Sequence, residues 1–150
     1  MTENVLISIT GLHAAAGNPE EDIEIVFPGQ YRLVGSTHCV RYEETSEGGG
    51  LTRSTILIRP DLVEAIRKGE IETRMVFDPN KRSQTYYATE YGKVSLGISA
   101  VTLKVEIMDE MIRADVNYAL DMNGSFVSDC EIMIRVIPSN VNGIRLTDLG

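Results

Sequence analysis

Between Thr85 and Ile137 the chain alternates in steps of two: Thr85, Tyr87, Thr89, Tyr91, then Val94, Leu96, Ile98, then Val101, Leu103, Val105, Ile107. After Asp109-Glu110 it resumes with Ile112, Ala114, Val116, Tyr118, Leu120, Met122, and after Asn123-Gly124 with Phe126, Ser128, Cys130, Ile132, Ile134, Val136. A period of two lines one face of a pleated strand, and short turn-forming pairs fold each strand back beside the last. The pattern predicts an antiparallel meander with one wet and one dry face. No long run repeats at three and four residues, so helix is scarcely readable anywhere.

The apolar positions are even at Val94, Leu96 and Ile98, then odd from Val101 to Ile107. A slip of one residue flips a whole strand, so a β-bulge is expected around Ser99-Ala100 to restore the facing. Asn123-Gly124 is expected to form a primed two-residue turn, because both residues tolerate positive φ.

The N-terminal half reads the same way with weaker signals. Val5, Ile7 and Ile9 share one face of a first strand, and 14–22, centred on Gly17-Asn18-Pro19, reads as a loop. A second strand, Ile23 to Val34, is expected to bend or lie at an edge at Pro28-Gly29, where a ladder donor is missing. Strands over His38 to Thr45 and Leu51 to Ile58 flank the glycine-rich hairpin Gly48-Gly49-Gly50. Leu62 to Ile66 suits either a helical turn or a short strand folded at Gly69 onto Glu70 to Phe77, the strand being the simpler reading. About nine or ten strands result, and a sheet that large curls or splits unless closure removes its edges. The expected architecture is all-β: one antiparallel up-and-down meander closed into a barrel of about 8–10 strands over 1–138, its lumen filled or holding one small ligand. The polar stretch 139–150 is expected to be a mobile or loosely docked tail.

At 150 residues the chain has the size of one domain with an ample core. Its 22 acidic and 14 basic residues give a net charge of −8, which repels phosphate backbones, so no nucleic-acid partner is expected. The first residues show no leader-like pattern, and no apolar run approaches the roughly 18–20 residues of a membrane span. A cytoplasmic protein without a membrane partner is expected, and in that compartment Cys39 and Cys130 are expected to be buried thiols rather than a disulfide.

The run Tyr87-Ala88-Thr89-Glu90-Tyr91-Gly92-Lys93-Val94-Ser95-Leu96 resembles the Tyr-x-Thr-x-Tyr/Phe-Gly stretch of the YwiB-like proteins, small bacterial proteins with no established activity. Tyr42-Glu43-Glu44, Lys68-Gly69 before a strand ending in Phe77, and Tyr118 late in a strand match in order and spacing, over about Val5 to Ile137. The resemblance implies a lipocalin-like (calycin) β-barrel. It implies no catalytic residue, so none is carried over.

Candidate chemistry is thin. His13, His38, Cys39 and Cys130 are the only soft metal ligands, and the adjacent His38 and Cys39 point to opposite faces of a strand, so no metal or cofactor is expected. Cys130 sits among apolar neighbours, where a thiol packs as a small hydrophobe, and neither cysteine has a nucleophile's signature. Gly48-Gly49-Gly50 lacks the Lys-Ser/Thr ending and helix of a phosphate loop. Asp109-Glu110 is a turn, Glu43-Glu44 straddles two faces, and both read as solvated charge. Arg135 has the parity of Asp129 and Glu131, the wet side. It therefore reads as a surface residue, without the tryptophan that such an arginine packs against in lipocalin-like barrels.

Polarity on the inward faces says more. Thr52, Ser54, Thr85, Tyr87, Thr89, Tyr91 and Tyr118 share parity with apolar neighbours. They are either core residues whose hydroxyls find backbone or water, or the wall of a cavity completed by Met75, Phe77 and Met122. The leading expectation is a non-enzymatic barrel binding a small hydrophobic or amphipathic ligand through Thr52, Ser54, Met75, Tyr87, Thr89, Tyr91 and Tyr118. The alternative is an interaction module, dimeric through an open strand edge, with a filled barrel. An enzyme would require His, Glu and Arg to converge at one mouth. Monomer and homodimer stay equally open.

Overall fold

The computed structural model describes residues 3–11, 24–46, 48–70, 72–89 and 92–139, the side chains of 88 and 89 excepted. These form ten strands and, among the described residues, no helix long and apolar enough to cross a membrane. They are β1 (Asn4–Thr10), β2 (Glu24–Val34), β3 (Thr37–Thr45), β4 (Leu51–Arg59), β5 (Leu62–Gly69), β6 (Thr73–Phe77), β7 (Ser83–Thr89), β8 (Gly92–Ile107), β9 (Ile112–Met122) and β10 (Ser125–Pro138). The hydrogen-bonded order is β6-β5-β4-β3-β2-β1-β10-β9-β8-β7, every pair antiparallel. First strand therefore meets last, with Val5 opposite Pro138 and Ile9 opposite Ile134. The result is a lipocalin-like up-and-down barrel, nearly closed. Its seam lies between β6 and β7, consecutive strands that are the two ends of the sheet and share no ladder.

Alternation decides what faces the centre. Val5, Ile7, Ile9, Val40, Ile56, Ile58, Val63, Phe77, Ile98, Val116, Ile132 and Val136 are all buried in one cluster. Each such side chain contributes roughly 1.5–3 kcal/mol on burial, so this inner wall holds the ring together. Leu62 to Gly69 is a strand throughout, paired with β4 and β6.

Both turn-level expectations for β8 and β9 are met. The β8–β9 register shifts between Ser99 and Thr102, with Ala100 at φ 52°, and Asn123 and Gly124 take φ of 52° and 85°. A second bulge, between Phe126 and Ser128 of β10, has no counterpart in the alternation. It turns Phe126 outward, to 66% exposure, against its expected inward facing. Met122 and Ile107 keep the inward facing, opposite Leu96 and Ile112, but at strand ends beside turns they are exposed.

Pro28 does not interrupt β2, which runs unbroken from Glu24 with Pro28 opposite Leu6. Tyr31 donates its backbone N–H to Glu3 O at 2.7 Å, so odd residues of β2 present their donors to β1. The donor Pro28 lacks would point the other way, toward β3, whose pairing with β2 ends at Gly29–Tyr42. The edge character expected of Pro28 is thus one-sided: β2 and β3 part company there.

Candidate functional site

Three strands bring a polar cluster to one end of the barrel. Tyr42 lies opposite Ser54 and Ser54 opposite Arg67, while Glu44 lies opposite Thr52. All five face inward: Tyr42, Thr52, Ser54 and Arg67 are buried, and the Glu44 side chain is 13% exposed. Arg67 donates through Nε to Glu44 Oε2 and through Nη2 to Glu44 Oε1, each at 3.2 Å, and Ser54 Oγ donates to Oε2 at 2.8 Å. Removing two charges from water costs several kcal/mol per ion, repaid only by such multiple bonding. Burial, then the Glu44 charge, pushes the Tyr42 phenol well above its ordinary range, with its bond to Ser54 and the Arg67 charge pulling the other way. Tyr42 is therefore a neutral phenol, stacked on Phe27 at 4.5 Å between ring centroids. The cluster can orient a polar group. Its two charges are paired with each other.

A second constellation lies near the seam. Phe77, at the end of β6, packs on the Tyr118 ring at 5.0 Å and 54°, with Met75 buried two residues before it. Tyr118 is 2% exposed, yet among the described residues its hydroxyl has no partner but the weak Cys130 thiol. The group beside it is the thiol of Cys130, its cross-strand neighbour, which is itself engaged with Ser128 Oγ at 3.3 Å. Burial raises the Tyr118 phenol far above its usual range, helped by that thiol. An orphaned buried hydroxyl costs about 1–3 kcal/mol. Tyr87 of β7 packs partly buried against the same core. Across the seam Ser83 Oγ donates to Val76 O at 2.8 Å.

The expected site residues thus divide. Thr52 and Ser54 belong to the polar end, whereas Met75, Tyr87 and Tyr118 belong to the apolar wall. Tyr91 and the side chain of Thr89 lie outside the described residues, as do His13 and the 140–150 stretch. The residues that sequence reasoning missed are Glu44 and Arg67. Their signal was parity: Glu44 continues Val40 and Tyr42, and Arg67 continues Val63 and Ala65, all buried. His38 stands at the opposite end of β3, its Nδ1 2.7 Å from Tyr31 Oη, so it does not join Glu44 and Arg67. Cys39 and Cys130 are free thiols. Arg135 lies on the outer face, donating to Glu24 Oε1 at 3.3 Å.

A wide concavity opens beside the polar end of the barrel. A groove of about 1080 Å³ opens where β2 leaves β3 and runs over the outer faces of β3, β4 and β5. Its lining includes Pro28, Arg41, Glu43, Arg53, Ile66 and Lys68, and at its inner margin Tyr42 and Ser54 of the polar cluster.

A family model described as a domain of unknown function (DUF1934) matches residues 7–134. The crystal structure of the YwiB protein from Bacillus subtilis superposes with a TM-score of 0.65 over 91% of either chain, at 16% sequence identity. That identity speaks to the fold alone. No curated protein matches the chain.

Proposed function

Because the chain belongs to the DUF1934 family, a domain of unknown function, no activity comes with membership, and we propose from the interior alone that it is a non-catalytic barrel binding one small amphipathic molecule within its wall. The Tyr118 hydroxyl carries this reading. It belongs to a residue 2% exposed, packed against Phe77, and among the described residues the only polar group at hand is the weakly accepting thiol of Cys130. A ligand oxygen there would recover the desolvation penalty, and an apolar body would pack against the Phe77 and Tyr118 rings. The seam supplies a way in. β6 and β7 share no ladder, so parting them sacrifices no ladder hydrogen bond between them.

Native mass spectrometry of the protein purified from the cells that make it tests this reading. A co-purified small molecule, lost in Tyr118→Phe, is expected. A wild-type protein that carries only its own mass, from gentle preparations, would overturn the proposal.

The open seam also favours a second reading, a homodimer through β7. Tyr86 on that edge strand is 62% exposed. Light scattering with size exclusion separates the two: a dimer abolished by Tyr86→Lys supports an interaction module.

A further inference from the structure

The outer groove presents three cations that form no ion pair among the described residues, with one carboxylate, Glu43, set among them. Arg53 of β4 and Lys68 of β5 are direct cross-strand partners on the outer face. Like charges placed opposite one another in a ladder destabilise it. Arg41 stands one step along the same face of β3, diagonal to Arg53, with Glu43 directly opposite Arg53. Among the described residues none of these three cations forms an ion pair, although Arg67, Arg74, Arg82, Lys104, Arg113 and Arg135 all do. In a chain of net charge −8 this concentration is the more notable for standing in a concavity of about 1080 Å³. The floor is mixed, since Ile66 and Pro28 contribute apolar surface beside the charges.

We infer that the groove between β2 and β5 binds a small phosphate-bearing molecule, its phosphates bridging Arg53 and Lys68 with Arg41 at the flank. A multiply charged anion relieves the Arg53–Lys68 repulsion, and guanidinium and ammonium donors give it charge-assisted hydrogen bonds. Ile66 on β5 and Pro28 on β2, at opposite sides of the groove, offer apolar surface to the uncharged body of such a molecule. A volume near 1000 Å³ is at the upper end for small-ligand sites, which fits a phosphorylated metabolite better than a bare ion. Alternation puts Arg41, Arg53 and Lys68 on the face opposite Tyr42, Ser54 and Arg67; Tyr42 and Ser54 also reach the groove's lining, whereas Tyr118 does not.

Calorimetric titration of the full chain at low ionic strength tests the inference, with inorganic tripolyphosphate, a nucleoside triphosphate and a single-stranded oligonucleotide as probes. Both small probes are expected to bind, the nucleoside triphosphate more tightly. The Arg53→Ala/Lys68→Ala variant is expected to lose about tenfold or more in affinity. Without ligand, that variant is expected to melt no lower than the parent, since the repulsion has gone. Tyr118→Phe is expected to bind tripolyphosphate as the parent does, which separates this site from the interior. No binding by the parent, or equal binding by the double variant, overturns the inference. So does an oligonucleotide that binds more tightly than either small probe, which would assign the groove to nucleic acid instead.

Discussion

Arg67 and Glu44 are joined at two points inside the barrel, Nε to Oε2 and Nη2 to Oε1, both at 3.2 Å, with side-chain exposures of 7% and 13%. β3 and β5 are not neighbours in the sheet: β4 runs between them and contributes Ser54, which also bonds the carboxylate. The pair therefore ties three strands together at the end of the barrel where β2 and β3 have separated.

Removing one partner should cost far more than removing both. Arg67→Met takes the guanidinium away from the largely enclosed Glu44 carboxylate and is expected to lower stability by about 3 kcal/mol. Glu44→Leu with Arg67→Met is expected to restore most of that, because apolar replacements of similar volume avoid the desolvation of two ions. Urea unfolding of the two variants checks the contrast. A single variant within about 1 kcal/mol of the parent would mean that water already solvates the pair.

Tyr118→Phe removes a hydroxyl that among the described residues has no partner but the weak Cys130 thiol. The folded chain is expected to gain about 1 kcal/mol or more in the absence of ligand, the reverse of what truncating a bonded tyrosine does. Chemical denaturation reads this directly. A loss of stability would show that the hydroxyl is bonded in solution, and the interior site would lose its main support.

How much of this could be read from sequence follows from what alternation encodes. Strand facing was legible wherever apolar residues recur strictly, as in Ile112 to Leu120, and the one interruption of that recurrence marked the bulge at Ser99-Ala100. The bulge before Ser128 was not legible. Phe126 is apolar, so a strand that carries it inward or outward looks the same on paper. Pro28 was misjudged because the missing donor was treated as a defect of the whole strand, whereas only one of its two edges needs that donor. Glu44 and Arg67 were passed over for a related reason. A charged residue is ordinarily solvated, and nothing local to Glu44 announces a guanidinium from a strand that lies beyond its neighbour. The groove was invisible for the opposite reason: it arises where pairing stops, and periodicity reports only where pairing continues.

The bulge itself can be relaxed. Ala100 is held at φ 52°, a left-handed conformation that crowds its Cβ. Ala100→Gly is expected to stabilise the fold by about 0.5–1 kcal/mol, the relief exceeding the added chain entropy of glycine. Gly124→Ala, at φ 85°, is expected to destabilise it by a similar amount. Thermal melts of the two variants should move in opposite directions, and a fall for Ala100→Gly would show that the methyl packs more usefully than the backbone is strained.

His38 makes the fold sensitive to mild acid. Its ring stacks on Tyr31 at 5.8 Å and 25°, and the 2.7 Å contact from Tyr31 Oη to Nδ1 suits a neutral imidazole accepting the phenol proton. Burial lowers the His38 pKa from its usual 6.5. Between 6.5 and that lower value the unfolded chain binds a proton that the folded chain refuses, so stability falls as pH drops through this window and levels off beneath it. Above the window the contribution is fully present. His38→Gln retains a hydrogen-bonding side chain and abolishes the titration. Melting temperatures at about pH 7.5 and about pH 5.5 should therefore converge in the variant relative to the parent, with His13 titrating in both and cancelling from the comparison. Equal pH dependence in the two proteins would show that His38 is as well solvated folded as unfolded, and that the contact with Tyr31 does not depend on its charge.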